Sequence, residues 1–147
     1  MLEYQLRAAR QSEAAQIKSL IHEVRINSMG LDWRRFLVAV NDSGQVIGCG
    51  QIKPHGHDIL ELASIAVSPA LQQQGIARKI IEKLLLENPR PLYLMCLEHN
   101  GPVYAKFGFR VMPVAEMPRY FRRMKKLFDL LKFTRGIAEN LLMMKLE

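Results

Sequence analysis

The segment from Asp58 to Leu97 constrains the fold more than any other part of the chain. An apolar, β-prone run ends at Val67, and Ser68-Pro69 breaks it. From Gln72 to Glu87 the pattern changes to helical spacing, with Ile76, Ile80 and Leu84 beside Ala77, Ile81 and Leu85 on one broad face. A second apolar run follows from Pro91 to Leu97. Strand, four-turn helix and strand make a βαβ unit, so the two strands are expected to be parallel neighbours joined by a right-handed crossover. The start of the crossover helix then points to one sheet edge.

The flanking sequence adds mainly strands. Tyr4 to Ala9 reads as the first strand, and Ser12 is a candidate cap for a helix carrying Ile17, Leu20, Ile21 and Val24 on one face. A second, shorter helical piece is expected through Met29 and Trp33. Phe36 to Val40 and Val46 to Gln51 form a hairpin around Asn41-Asp42-Ser43-Gly44. After Gly101-Pro102 come a short helix to Lys106, a turn at Gly108, a strand from Phe109 to Val114 and a last strand from Leu141 to Leu146. The pattern predicts one α/β domain over residues 1–147, with a mixed, mainly antiparallel sheet flanked by helices.

Composition narrows the function classes. The 147 residues are 49% hydrophobic and 24% charged, which suits a single domain with a core and argues against disorder. The apolar runs are too short to span a bilayer, and Met1-Leu-Glu-Tyr-Gln-Leu-Arg lacks the uninterrupted apolar stretch of a signal peptide, so a cytoplasmic protein is expected. Cys49 and Cys96 sit singly in apolar runs and read as core residues. His22, His55, His57 and His99 form no ligand set with cysteines or carboxylates, so no metal is expected.

Charge is unevenly spread. Net charge is +7, and the stretch from Ala115 to Asn140 holds seven cationic residues against three acids. Within it Met117, Tyr120, Phe121, Met124, Phe128 and Leu131 recur at three- and four-residue steps, predicting an amphipathic helix opened by Pro118 and closed near Gly136. Phe121, Met124 and Phe128 would pack inward while Arg119, Arg122, Arg123 and Lys126 face out. Such a face suits an acidic partner or acceptor, an anionic membrane or a nucleic acid, and a solvated surface is the plain alternative.

Chemistry concentrates where the crossover helix begins. Gln72-Gln73-Gln74-Gly75-Ile76-Ala77 puts small residues at the strand-to-helix turn, where the first helical amides lack partners and can cradle a pyrophosphate. Side chains larger than those of Gly75 and Ala77 would block such a group.

This turn resembles the acetyl-CoA signature of the GNAT N-acetyltransferase family, Arg or Gln, x, x, Gly, x, Gly or Ala. Tyr104-Ala-Lys106-Phe-Gly108-Phe109 is similar to that family's Tyr-x-Lys-x-Gly-Phe element, and the inferred order of elements agrees along the chain. The resemblance implies a sheet splayed between the strands ending at Val67 and Leu97. It implies that main-chain groups of Ile65, Ala66 and Val67 pair with the pantetheine arm, that Gln72, Gln73, Gln74, Gly75, Ile76 and Ala77 receive the pyrophosphate, and that Arg78 and Lys79 reach CoA phosphates. Tyr104 would protonate the departing thiolate, and Glu61 would remove the amine proton. Asn100, only four residues before Tyr104 and followed by Gly101-Pro102, departs from the family's usual spacing for an Asn on the CoA arm.

The implied activity is direct acetyl transfer from acetyl-CoA to a primary amine of a small molecule or protein, with no metal. A non-catalytic acyl-CoA-binding module, or a protein that binds an anionic partner through the basic helix, is the alternative. The acceptor-side stretches, Arg25 to Arg35 and Ala115 to Asn140, match no acceptor class.

Overall fold

A computed structural model describes residues 2–147. Seven strands and four α-helices follow one another: β1 (Tyr4–Ala8), α1 (Ala14–Glu23), β2 (Phe36–Asn41), β3 (Val46–His55), β4 (Ile59–Val67), α2 (Ile76–Glu87), β5 (Leu92–Leu97), α3 (Gly101–Ala105), β6 (Arg110–Val111), α4 (Arg119–Arg135) and β7 (Leu141–Leu146). The strands order as β1-β2-β3-β4-β5-β7-β6 in one sheet. β1–β2, β2–β3, β5–β7 and β6–β7 are antiparallel, and β4–β5 is parallel with Glu61 opposite Tyr93. The α/β class, the mainly antiparallel sheet and the parallel pair match the sequence reading.

The chain divides into two compact units, one of residues up to Lys53 with Leu62–Pro89, the other of Pro54–Glu61 with Arg90–Glu147. In the first, strand alternation sorts the two faces of β3. Cys49 joins Ile17, Leu20, Ile21, Phe36, Val38 and Val40 in a core around α1. Gly48 and Gly50 point the other way, to α2: a Cβ on Gly50 would lie 2.6 Å from Ile65 Cδ1 and 2.9 Å from Ile80 Cγ2, and one on Gly48 would lie 2.9 Å from Ile76 Cγ2. Helices therefore cover both faces of this part of the sheet, and α2 sits as close to it as a bare backbone permits.

In the second unit Tyr93, Met112, Met117, Phe121 and Met143 form the core, joining β5, β7 and the first turns of α4. Gly136, at φ +66°, closes α4, its N–H bonding the Lys132 carbonyl. Pro118 precedes the first turn and Gly136 ends the helix, as the sequence predicts.

Five boundaries differ from the sequence reading, the first being β3, which runs on to His55 instead of ending at Gln51. Ser12 does not cap α1, whose start has no side-chain cap; it lies inside a 3₁₀ turn, Gln11–Glu13, that Glu13 closes by accepting from the Arg10 N–H at 2.8 Å and from both Arg7 guanidinium nitrogens at 2.8 and 2.7 Å. Those donors hold the Glu13 carboxyl below its usual range. Instead of a helix through Met29, only a 3₁₀ turn forms at Trp33–Arg35, its start capped by Asp32. α2 begins at Ile76 rather than Gln72, because Gln73 and Gly75 take left-handed angles that a helix cannot include. The strand expected from Phe109 to Val114 shrinks to Arg110–Val111, since Pro113 starts a 3₁₀ turn.

Because α2 rests directly on Gly50, Gly50→Val is expected to destabilise the protein by about 1–3 kcal/mol through overpacking, and a conservative Ala15→Ser on exposed α1 surface is expected to leave it unchanged; chemical denaturation of both variants checks this.

Candidate active site

The strand leading to the predicted phosphate turn is bent at one residue. Ser64 lies mid-strand in β4 at φ +59°, a left-handed angle rare for a residue with a side chain. Gln51, fully buried, donates from Nε2 to Ser64 Oγ at 2.8 Å, and Cys49 donates from Sγ to the Ser64 carbonyl at 3.6 Å. Two side chains of β3 thus hold the bend. Beyond it Ala66 and Val67 are buried and Ile65 half-buried. The Val67 carbonyl accepts from Gln72 Nε2 at 3.2 Å, and the Ser68 N–H donates to the Ile47 carbonyl, which fixes the strand end before the turn.

The turn itself is open. Gln72, Gln73, Gln74 and Gly75 are exposed, with Gln73 at φ +66° and Gly75 at φ +83°. The first helical bond of α2 runs from the Lys79 N–H to the Gly75 carbonyl, and no side chain caps the helix. The amides of Ile76, Ala77 and Arg78 therefore stand ahead of the first α-helical bond, at the positive end of a helix of 12 residues. A Cβ built on Gly75 meets nothing within 4 Å. Uncapped amides beside empty space fit a diphosphate group.

The two cations expected near phosphates have other partners. Arg78 Nε bonds Glu82 Oε1 at 2.8 Å in an exposed pair one helical turn apart, and Lys79 Nζ lies 5.9 Å from the centre of the Tyr4 ring. Arg78 is thus held by an acid on its own helix, and Lys79 leans over the ring of β1.

In the second unit Glu61 is only 2% exposed. Its partner is a residue that the sequence reading weighed only as a metal ligand. His55 Nε2 lies 2.7 Å from Glu61 Oε1, with the imidazole side chain 20% exposed. The ring stacks on Tyr120 at 3.8 Å between centroids and meets Phe121 edge-on at 6.2 Å. Burial, and then the nearby Glu61 charge, push the Tyr120 phenol upward. A His six residues before an acid in one hairpin was the available signal, but nothing in the sequence fixed the hairpin register.

Tyr104 is half-buried on α3, edge-on to Phe109 at 6.2 Å. Burial, with a smaller push from Cys96, raises its phenol to about 12, so it keeps its proton at neutral pH. Cys96 packs against Met144, Sγ to Sδ 3.9 Å, and burial lifts its thiol to about 11. That thiol is no nucleophile at neutral pH. Asn100 ends a 3₁₀ turn before α3 and caps nothing with its side chain. The turn is tied instead through Glu98, whose N–H donates to the Asn140 carbonyl at 3.0 Å, and through His99, whose Nδ1 lies 2.6 Å from Glu139 Oε1.

Among the described residues no cluster of three or more His, Cys, Asp or Glu is placed to hold a metal ion. A family model for the acetyltransferase (GNAT) domain matches residues 32–111, which include the bent strand, the open turn and Tyr104. The chain belongs to the GNAT acetyltransferases. Its class of chemistry is therefore acetyl-CoA-dependent transfer to an amine. It is 27% identical over 150 residues to an amino-acid acetyltransferase of Mycobacterium tuberculosis, covering 92% of this chain and 83% of the relative. An N-acetylglutamate synthase from Neisseria gonorrhoeae, solved with coenzyme A and N-acetyl-glutamate, superposes with a TM-score of 0.75 at 20% identity, covering 100% of this chain and 36% of that one. This GNAT chain thus spans about a third of that synthase. Rv2747 of Mycobacterium tuberculosis, solved with CoA and NLQ, gives 0.73 at 23% identity over 97% of this chain and 98% of its own. These two structures share the fold.

Gly75→Glu is expected to abolish acetyl-CoA binding, because it sets a carboxylate among the free amides and forces a side chain into a left-handed position. Titration calorimetry on the folded variant is the check; retained affinity would remove the turn from the site.

Proposed function

We propose that the chain acts as one acetyltransferase domain that moves the acetyl group of acetyl-CoA to the amino group of a small, carboxylate-bearing acceptor such as a free amino acid, by direct attack in a ternary complex. The observation that carries the cosubstrate is the open turn before α2, where uncapped amides and the left-handed Gly75 leave room for a pyrophosphate. The family match runs through residues of both compact units, which supports a single working domain. The amino-acid acceptor is supported by the name of the Mycobacterium tuberculosis relative. Lys53 adds support: it is buried beneath Gly30, a Cβ there lying 2.9 Å from its Cε, and pairs with no acid among the described residues. A lysine whose stem is buried and whose ammonium pairs with no acid suits a carboxylate-bearing ligand.

Acetyl-CoA supplies an activated thioester, and the chain's residues manage the protons. Main chain at Ile65, Ala66 and Val67 aligns the pantetheine arm, and Gln72 to Ala77 hold the diphosphate, with Arg78, Lys79 and Asn100 secondary. The neutral amine attacks the thioester carbonyl, and the carbon–sulfur bond breaks as the intermediate collapses. Tyr104 gives its proton to the leaving sulfur, a role suited to a phenol raised to about 12. Glu61 takes the proton from the amine nitrogen. Since its carboxylate is almost wholly buried, that proton leaves through His55, the partially exposed imidazole bonded to it.

Tyr104→Phe is expected to lower kcat by ten- to a thousandfold with acetyl-CoA affinity nearly intact. Because the Tyr104 pKa is raised, its proton is still in place at pH 10; the wild-type rate should show no alkaline fall from this group below about pH 11. Glu61→Gln and His55→Gln should each lower kcat with acetyl-CoA affinity nearly intact. CoA release measured across amino acids, polyamines and peptide amines tests the acceptor: no amine-dependent release would leave an acyl-CoA-binding module, and release with polyamines alone would overturn the carboxylate-bearing acceptor.

A further inference from the structure

α4 carries more apolar surface than its own unit covers. Phe121 is fully buried and Met124 and Phe128 are half-buried, as their spacing predicts. Leu131, assigned inward from the same spacing, is exposed, and with it Leu127 at 49%, Leu130 at 64% and Phe133 at 89%. Ile137, just past the Gly136 stop, is exposed as well. A phenylalanine left almost wholly in water next to three exposed leucines forms a contiguous apolar patch, and such patches mark interaction sites.

The charges on this helix are sorted along its axis. Arg119, Arg123, Lys126, Leu130 and Phe133 follow one another at steps of three and four residues, so they form one outward stripe, basic in its first half and apolar in its second. Of the cations on α4, only Lys125 meets a carboxylate, Asp129 at 3.7 Å, among the described residues. Arg119, Arg122, Arg123 and Lys126 are exposed and free to meet an anion.

We propose that α4 docks this protein onto an anionic phospholipid surface, its C-terminal end dipping Leu130, Phe133 and Ile137 into the headgroup–acyl boundary while Arg119, Arg123 and Lys126 lie among the lipid phosphates. A helix of 17 residues is about 25 Å long. Modest tilt therefore carries its last turns the 5–10 Å at which interfacial helices sit, with the first turns still at headgroup level. No helix among the described residues is long and apolar enough to cross a membrane, so the mode is lying on the surface. A second copy fits the stripe badly: parallel pairing sets cation against cation, and antiparallel pairing buries guanidinium groups against Leu130 and Phe133. A nucleic acid would use the basic half and leave the apolar half in water.

Co-sedimentation with phosphatidylglycerol–phosphatidylcholine vesicles, without acetyl-CoA or acceptor, tests the proposal. Binding is expected with 30–40 mol% phosphatidylglycerol at low salt and at least tenfold less with phosphatidylcholine alone or at 0.5 M salt. Leu130→Ser with Phe133→Ser and, separately, Arg119→Gln with Arg123→Gln and Lys126→Gln should each weaken binding about tenfold or more, with unchanged thermal unfolding. A Phe133→Trp variant should show a blue-shifted emission component on anionic vesicles that the parent, with its single Trp33, does not. Equal binding to both lipid mixtures, or binding that survives Leu130→Ser with Phe133→Ser, overturns the proposal. So does a dimer in sedimentation velocity that the same serine variant dissolves, without vesicle binding.

Discussion

The approach of α2 to the sheet at Gly48 and Gly50 is the constraint on which the first unit depends. With any side chain at Gly50, Ile65 and Ile80 would have to move, and the helix would ride higher over β3. Instead Ile76, Ile80, Ile81 and Leu84 are buried, which brings the helix start down to the end of β4. The link from β4 to α2 then has to rise in few residues, and it does so through left-handed backbone at Gln73 and Gly75. Those angles exclude the turn from the helix and leave its leading amides uncapped. The free donors that suit a diphosphate are thus a geometric result of two glycines on the neighbouring strand.

The second unit is organised around a buried charge. A carboxylate that is 2% exposed requires hydrogen bonds or a counter-charge where it sits, and Glu61 has His55. The imidazole is in turn held by the Tyr120 ring at 3.8 Å, and Tyr120 is fixed by its neighbour Phe121, stacked on Tyr93 at 5.4 Å from the centroid. The first turn of α4 therefore orders the hairpin tip between β3 and β4 as well as closing a core. In a segment that composition presents chiefly as a block of cations, these two aromatic residues anchor the rest.

Periodicity made the framework legible. The helical faces of α1 and α2, the parallel strands around α2, the Pro118 and Gly136 limits of α4 and the open turn before α2 all follow from spacing and from residues with restricted backbone angles. What could not be read depends on contacts between segments remote in sequence. Glu13 captures Arg7 across the end of β1, so the acid, and not Ser12, fixes the 3₁₀ turn that leads into α1. Gln73 takes a left-handed angle without being glycine, which moved the start of α2 four residues beyond Gln72. The bend at Ser64 rests on Gln51, thirteen residues away on another strand. The bond between His55 and Glu61 needs the register of a hairpin whose strands carry apolar residues on both faces, where alternation gives no register.

The placement of charge on α4 also bears on why the helix has its sequence. Its first turn contains no acid and begins with Arg119, followed closely by Arg122 and Arg123. Cations there oppose the positive end of the helix dipole, whereas Lys132 and Arg135 in the last turn complement the negative end. Helix stability alone would favour the opposite arrangement at the start, as it would favour polar residues at the exposed positions Leu130 and Phe133. Neither departure improves packing, since the buried contacts are made by Phe121 with partial help from Met124 and Phe128. Both departures lie on the same outward stripe, at its two ends. Local costs that coincide on one exposed surface, with no folding gain to offset them, are accounted for by something outside the fold, and a layered surface with anionic groups above hydrocarbon satisfies both ends at once.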